Sequence, residues 1–253
     1  MDRVAVLTHR RVEQTAECLG VLRDAADEAG ATLLFDAEEA SKHGVEAGDT
    51  ASADLCIVLG GDGTILKALR RYAGTGVPTY AVNFGEVGFL ATIDPDDVQA
   101  GFRRALAGTF EVLKLPAIAV TTGERELYAI NDVSVHRKAG ERVAQLAYGV
   151  GGEDVASVRC DGLVVSSPAG STGYNLANGG PVMAWGVEGF VVSFIAPHSM
   201  TARALVVAPG DALEVANRSL GGGAVEIHVD GRPAGELPCG ESLRARFVLD
   251  VAC

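Results

Sequence analysis

The sequence predicts a fold of class α/β + β, with an N-terminal α/β domain over residues 1–100 built on a parallel sheet and a C-terminal antiparallel, sandwich-like β domain over residues 101–253. Three observations carry this expectation. Up to about residue 100, short apolar runs alternate with longer segments of helical period, the pattern of βαβ units. From Phe110 onward, short strand-like runs are separated by Gly, Pro or Asp-Gly turns. A chain of 253 residues that is 48% hydrophobic can bury one large core or two modest ones.

In order, Val4 to Leu7 reads as a buried strand, Val12 to Ala29 as a helix closed by Gly30, and Thr32 to Phe35 and Leu55 to Leu59 as further strands. Gly60 to Gly63 then turns into a helix from about Thr64 to Tyr72, and Thr79 to Asn83 follows Pro78 as a strand. Pro95 to Ala107 is expected to be a helix with Asp94 as N-cap and Asp96 and Asp97 at the positive end of its dipole. The expected strands of the second half are Val112 to Thr121, Glu126 to His136, Ala144 to Val150, Leu163 to Ser166, Phe190 to Ile195, Ala204 to Val207, Ala212 to Ala216, Ala224 to Val229 and Leu243 to Val251.

The formal net charge of −12 disfavours nucleic acid and anionic membranes as partners. Lysine occurs only at Lys42, Lys67, Lys114 and Lys138, so arginine carries most positive charge, a balance suited to a protein that stays soluble in concentrated salt. Cys18, Cys56, Cys160, Cys239 and Cys253 are scattered without a CxxC pair, which argues against structural zinc and a disulfide framework and for a reducing cytoplasm. No signal-peptide core or bilayer-length apolar run is seen.

The sharpest motif is Leu59-Gly60-Gly61-Asp62-Gly63-Thr64. It follows a buried strand and opens a helix, so it lies where open α/β sheets place ligands, and Gly60, Gly61, Gly63 and Thr64 form a candidate phosphate-binding turn. A carboxylate repels phosphate, so Asp62 is read as a general base acting on a hydroxyl nucleophile. The alternative is an Asp-Gly turn that caps the next helix.

Gly-Gly-Asp-Gly-Thr after a strand resembles the superfamily that joins NAD kinases, diacylglycerol-type lipid kinases and phosphofructokinases. The run from Asn83 to Leu90 (Asn-Phe-Gly-Glu-Val-Gly-Phe-Leu), the pair Asn131-Asp132 and the stretch Asp161 to Asn175 (Asp-Gly-Leu-Val-Val-Ser-Ser-Pro-Ala-Gly-Ser-Thr-Gly-Tyr-Asn) resemble the NAD kinase family in particular. Pro197-His198-Ser199-Met200, Arg203 and Asp230-Gly231-Arg232 follow in the same order. Ser167, Ala169 and Gly173 depart from the family's commoner residues.

The resemblance implies transfer of the terminal phosphoryl group of ATP, or a similar donor, to the adenosine-ribose 2′-hydroxyl of NAD, with Asp62 as base and a divalent metal, Mg²⁺ or Mn²⁺, brought by the phosphates. With the physical readings of position and charge, it makes Asp62, Gly63, Lys67, Phe89, Asn131, Asp132, Arg142, Arg159, Asp161, Thr172, Gly173, Tyr174, Asn175, Leu176 and Ala177 the candidate NAD contacts. Asn131 and Asp132 offer both donor and acceptor edges for adenine or ribose. Ala169 to Ala177, small apart from Tyr174, suits a planar ring, and Arg142, Arg159 and Lys67 suit the pyrophosphate. Residue by residue, Lys67, Arg142 and Arg159 have ordinary solvated surface roles open to them, Phe89 a core role, and Asn131 and Asp132 a solvated strand end or turn. The resemblance further implies a homo-oligomer, dimer or tetramer, in which Asp161 reaches a neighbouring subunit's ligand. Two rival readings are a lipid kinase, which calls for a basic membrane-facing patch, and a non-catalytic dinucleotide-binding regulator, against which Asp62 speaks.

Overall fold

Runs such as Val4-Ala5-Val6-Leu7 and Leu55-Cys56-Ile57-Val58-Leu59, apolar without alternation, are buried on both faces, as strands covered on two sides must be. They form β1 (Arg3–Thr8) and β3 (Leu55–Gly60), which with β2 (Thr32–Leu34) and β4 (Thr79–Asn83) make a four-stranded sheet of order β2-β1-β3-β4 in the computed structural model, which describes residues 1–84 and 97–253. All three pairings are parallel.

Helix α1 (Ala16–Ala29) follows a 3-10 turn at Val12–Gln14 and ends at Gly30, whose φ of 69° is the left-handed cap a glycine accepts freely. Helix α2 (Ala37–His43) was not anticipated, because only two of its residues, Glu39 and Ala40, are buried and no apolar stripe marks it; its sign is the N-cap Asp36, which accepts from the Glu39 N–H. Helix α3 (Asp62–Arg71) begins two residues before the expected Thr64. Helix α4 (Val98–Leu106) places Phe102, Ala105 and Leu106 in the core with Leu19 and Leu22 of α1 and Ile57 of β3. The expected cap Asp94 and first-turn Asp96 lie outside the described residues.

The second compact unit spans Leu115–Val251; the first spans Met1–Lys114 with Ala252–Cys253. Its strands are β5 (Leu115–Thr122), β6 (Arg125–Ala129), β7 (Asp132–Arg137), β8 (Ala144–Val150), β9 (Glu153–Cys160), β10 (Gly162–Ser166), β11 (Phe190–Ile195), β12 (Leu205–Val207), β13 (Ala212–Asn217), β14 (Val225–Val229), β15 (Arg232–Leu237) and β16 (Ser242–Ala252). They form two six-stranded sheets, β12-β11-β10-β7-β14-β15 and β6-β5-β16-β13-β8-β9. Val133, Val135, Leu163, Val165 and Ile227 of the first share one core with Ile118, Leu146, Leu213, Val215 and Leu243 of the second, so the two sheets enclose a sandwich core.

The single strand expected over Glu126 to His136 is two strands broken at Ile130 and Asn131. Strands β9 and β15 were not anticipated: β9 is exposed over most of its length, and β15 carries Pro233, which fits its place at a sheet edge. Among the described residues, no helix is long and apolar enough to cross a membrane.

Candidate active site

The glycine-rich turn leaves the carboxyl end of β3 beside the end of β1, where Thr8 pairs with Leu59 and the His9 N–H reaches the Leu59 carbonyl at 2.8 Å. Chain connections diverge from this point, toward β2 on one side and β4 on the other, which makes it the switch point where open sheets leave a crevice. Gly61 is the extended N-cap of α3, and the Thr64 and Ile65 amides fold back on its carbonyl at 2.9 and 3.1 Å. Asp62 and Gly63 therefore occupy the first turn of α3, at its positive end. A side chain at Gly60 would overlap Thr64, so the tight turn requires glycine there; around Gly63 the space is open.

Downstream on α3, Lys67 meets Glu38 at 2.7 Å and Arg71 meets Asp36 at 2.5 Å. Hydrogen bonds from Lys67 and Lys42 hold the Glu38 carboxyl below the usual range. Lys67 is thus already paired, with a partner that is 58% exposed and held only weakly against exchange. Deeper in, the Glu39 carboxylate, 1% exposed, accepts from the Thr8 N–H at 3.1 Å, the Thr8 hydroxyl at 2.7 Å and Lys42 Nζ at 2.8 Å.

In the second unit, Asn131 and Asp132 sit at the bend that opens β7. The Ser167 N–H donates to the Asn131 carbonyl at 2.9 Å and the Ser167 hydroxyl to the Ile130 carbonyl at 2.6 Å. Gly170 lies so close to Asn131 that any side chain there would overlap its backbone. Asp132 is 9% exposed, and no hydrogen bond to its carboxylate is formed among the described residues. Burial and the nearby charge of Asp230 push its carboxyl up to about 6. A buried acid with a raised pKa and no protein partner is characteristic of functional sites.

Alternation along β7 puts Asp132, Ser134 and His136 on the face opposite the core residues Val133 and Val135. Tyr174, at the start of the four-residue helix α5 (Tyr174–Ala177), stacks on His136 with ring centroids 5.7 Å apart. His136 also contacts Ser134 Oγ at 2.8 Å and the His228 ring at 5.1 Å, and burial and His228 push its pKa down. Burial raises the Tyr174 pKa, with the charges of Asp132 and Asp161 adding to the effect. His136 and His228 were not singled out from the sequence, although the strand period of β7 carried the signal.

Thr172, Gly173, Leu176 and Ala177 are exposed beside Tyr174. Asn175 turns inward instead: it is fully buried, and its amide donates to the Ser171 and Pro181 carbonyls, both at 2.9 Å, which shapes the segment. Asp161 is held by Arg137 at 2.5 Å, a partner the sequence did not reveal, and this lowers its pKa. Arg159 is exposed on β9, and Arg142 lines a 420 Å³ cavity with Arg137, Glu141 and Leu220. Phe89 lies outside the described residues. Among the described residues, no three His, Cys, Asp or Glu side chains converge as a metal cage.

Residues 3–110 match the family model described as the ATP-NAD kinase N-terminal domain, and residues 130–246 that of the ATP-NAD kinase C-terminal domain. The chain is 34% identical to the NAD kinase of Gemmatimonas aurantiaca, over 96% of this chain and 87% of the relative. It is 32% identical to that of Koribacter versatilis, over 97% and 90%. Among solved structures it is similar to yeast NADH kinase complexed with NADH, with a TM-score of 0.89 at 20% identity over 100% of this chain and 82% of the other. It is also similar to an NAD kinase from Archaeoglobus fulgidus in complex with ATP, with a TM-score of 0.75 at 24% identity over 97% and 90%. At those identities the two structures speak to the fold.

Proposed function

The chain belongs to the ATP-NAD kinase family, and from that premise we infer that it transfers the terminal phosphoryl group of ATP to the adenosine-ribose 2′-hydroxyl of NAD, forming NADP. The observation that carries this reading is the placement of Asp62 in the first turn of α3, at the switch point of a parallel sheet. The helix end supplies oriented N–H groups for the phosphates of the donor. Asp62, held beside them, takes the proton from the attacking 2′-oxygen as its bond to phosphorus forms and the bond to the departing ADP oxygen breaks.

Asn131 and Asp132 hold NAD by the complementary edges of amide and carboxylate, and Tyr174 offers its exposed ring for stacking. Gly63, Lys67, Phe89, Arg142, Arg159, Asp161, Thr172, Gly173, Leu176 and Ala177 complete the proposed contacts, and buried Asn175 supports the segment that bears them. When bound, Mg²⁺ or Mn²⁺ neutralises phosphate charge and would be held through the phosphates, with Asp62 as the nearby carboxylate. A cytoplasmic homo-oligomer, dimer or tetramer, accords with this reading.

Incubating the purified protein with NAD, ATP and Mg²⁺ tests it. NADP formation coupled to ADP release is expected. Phosphorylation of diacylglycerol without NADP, or tight NAD binding without ATP consumption, would overturn it.

A further inference from the structure

We propose that Asp230 is a positioning residue: by gathering three consecutive backbone amides it fixes the bend that aims Asn131 and Asp132 at the dinucleotide. This rests on the assignment of NAD to those two residues.

The Asp230 carboxylate lies at the turn between β14 and β15, about a hundred residues downstream of the bend in the chain. One oxygen accepts from the Asn131 N–H at 2.7 Å and the Asp132 N–H at 3.2 Å; the other accepts from the Ile130 N–H at 3.2 Å. In return, the Asp230 N–H donates to the Asp132 carbonyl at 2.8 Å. The carbonyls of Ile130 and Asn131 are taken by Ser166 and Ser167. The backbone of the bend is therefore pinned from both sides, donors by Asp230 and acceptors by the two serines, and its conformation is set by residues remote in sequence.

The turn itself does not call for a carboxylate. Asp230 and Gly231 have φ of 46° and 71°, the paired left-handed conformations of a two-residue hairpin, which Asn-Gly fills as readily as Asp-Gly. Asn at this position would also remove a negative charge that opposes ionisation of buried Asp132. What an Asn side chain cannot do is accept with both ends of a carboxylate, which is the feature the three amides use.

Asp230→Asn keeps the hairpin and removes one acceptor, whereas Asp230→Ala removes all of them. For Asp230→Asn, KM for NAD is expected to rise about tenfold, the scale of one or two lost hydrogen bonds, with kcat and KM for ATP within about twofold. Asp132 is faced by Asp230 from the β14–β15 turn and by Tyr174 from α5, with His136 next along its own strand face. Neutralising Asp230 therefore moves the acid limb of kcat/KM for NAD to lower pH. Asn131→Ala serves as the control for the underlying assignment. If Asn131→Ala raises KM for NAD but Asp230→Asn leaves it unchanged, the positioning role is overturned and the assignment stands. If Asn131→Ala has no effect on KM, the assignment falls and the proposal with it. A uniform loss of kcat and of both KM values alongside a lower melting temperature would show a merely structural role and overturn the proposal.

Discussion

The imidazole of His136 lies nearly parallel to the Tyr174 ring, with planes 16° apart and centroids 5.7 Å apart. A ring backed on one face is held still and presents its other face at lower entropic cost. His136→Ala is expected to raise KM for NAD about three- to tenfold, matching the worth of one aromatic pair, while His136→Phe restores most of the affinity. Steady-state kinetics with NAD varied at saturating ATP checks this.

Gly170 sits against the Asn131 backbone with no room for a methyl group. Gly170→Ala should therefore destabilise the fold by about 1–3 kcal/mol and raise KM for NAD, because the strain falls on the bend itself. Urea denaturation together with NAD kinetics reads both effects.

Asp132 makes a prediction with a definite sign. Its carboxyl is raised from 3.8 to about 6 by burial and by Asp230, so the folded state prefers it protonated. The penalty is absent below the ordinary value, grows as pH rises, and is complete above about 6. Asp132→Asn should stabilise the protein at pH 8 by on the order of 2–3 kcal/mol and leave it nearly unchanged at pH 4, while weakening NAD binding. Urea titrations at the two pH values, with calorimetric NAD binding, measure the exchange of stability for affinity.

Glu39 tests the support beneath the end of β1. Three donors, two from Thr8 and one from Lys42, converge on its buried carboxylate. Glu39→Ala leaves them without that acceptor and should lower stability by about 3–5 kcal/mol, visible as a reduced melting temperature.

Much of this was legible in the sequence because it depends on local pattern. The unbroken apolar runs of β1 and β3 and the glycines around Asp62 mark buried parallel strands and a tight strand-to-helix turn without reference to distant residues. The break at Ile130 and Asn131 was not placed within the expected strand, since the carboxylate that accepts its amides comes from Asp230, remote in sequence. Nor was α2, whose burial rests on Glu39 finding Thr8 and Lys42 rather than on an apolar stripe. That the Asn175 amide donates to the Ser171 and Pro181 carbonyls was not legible for a related reason, since no local pattern marks those contacts.

The most direct measurement is the turnover of Asp62→Asn, made alongside calorimetric NAD binding by the same protein. Loss of the base should lower kcat by roughly 10²- to 10⁴-fold while NAD affinity stays within a few-fold of the parent. Turnover close to that of the parent would show that another group removes the 2′-hydroxyl proton, and would contradict the account at its centre.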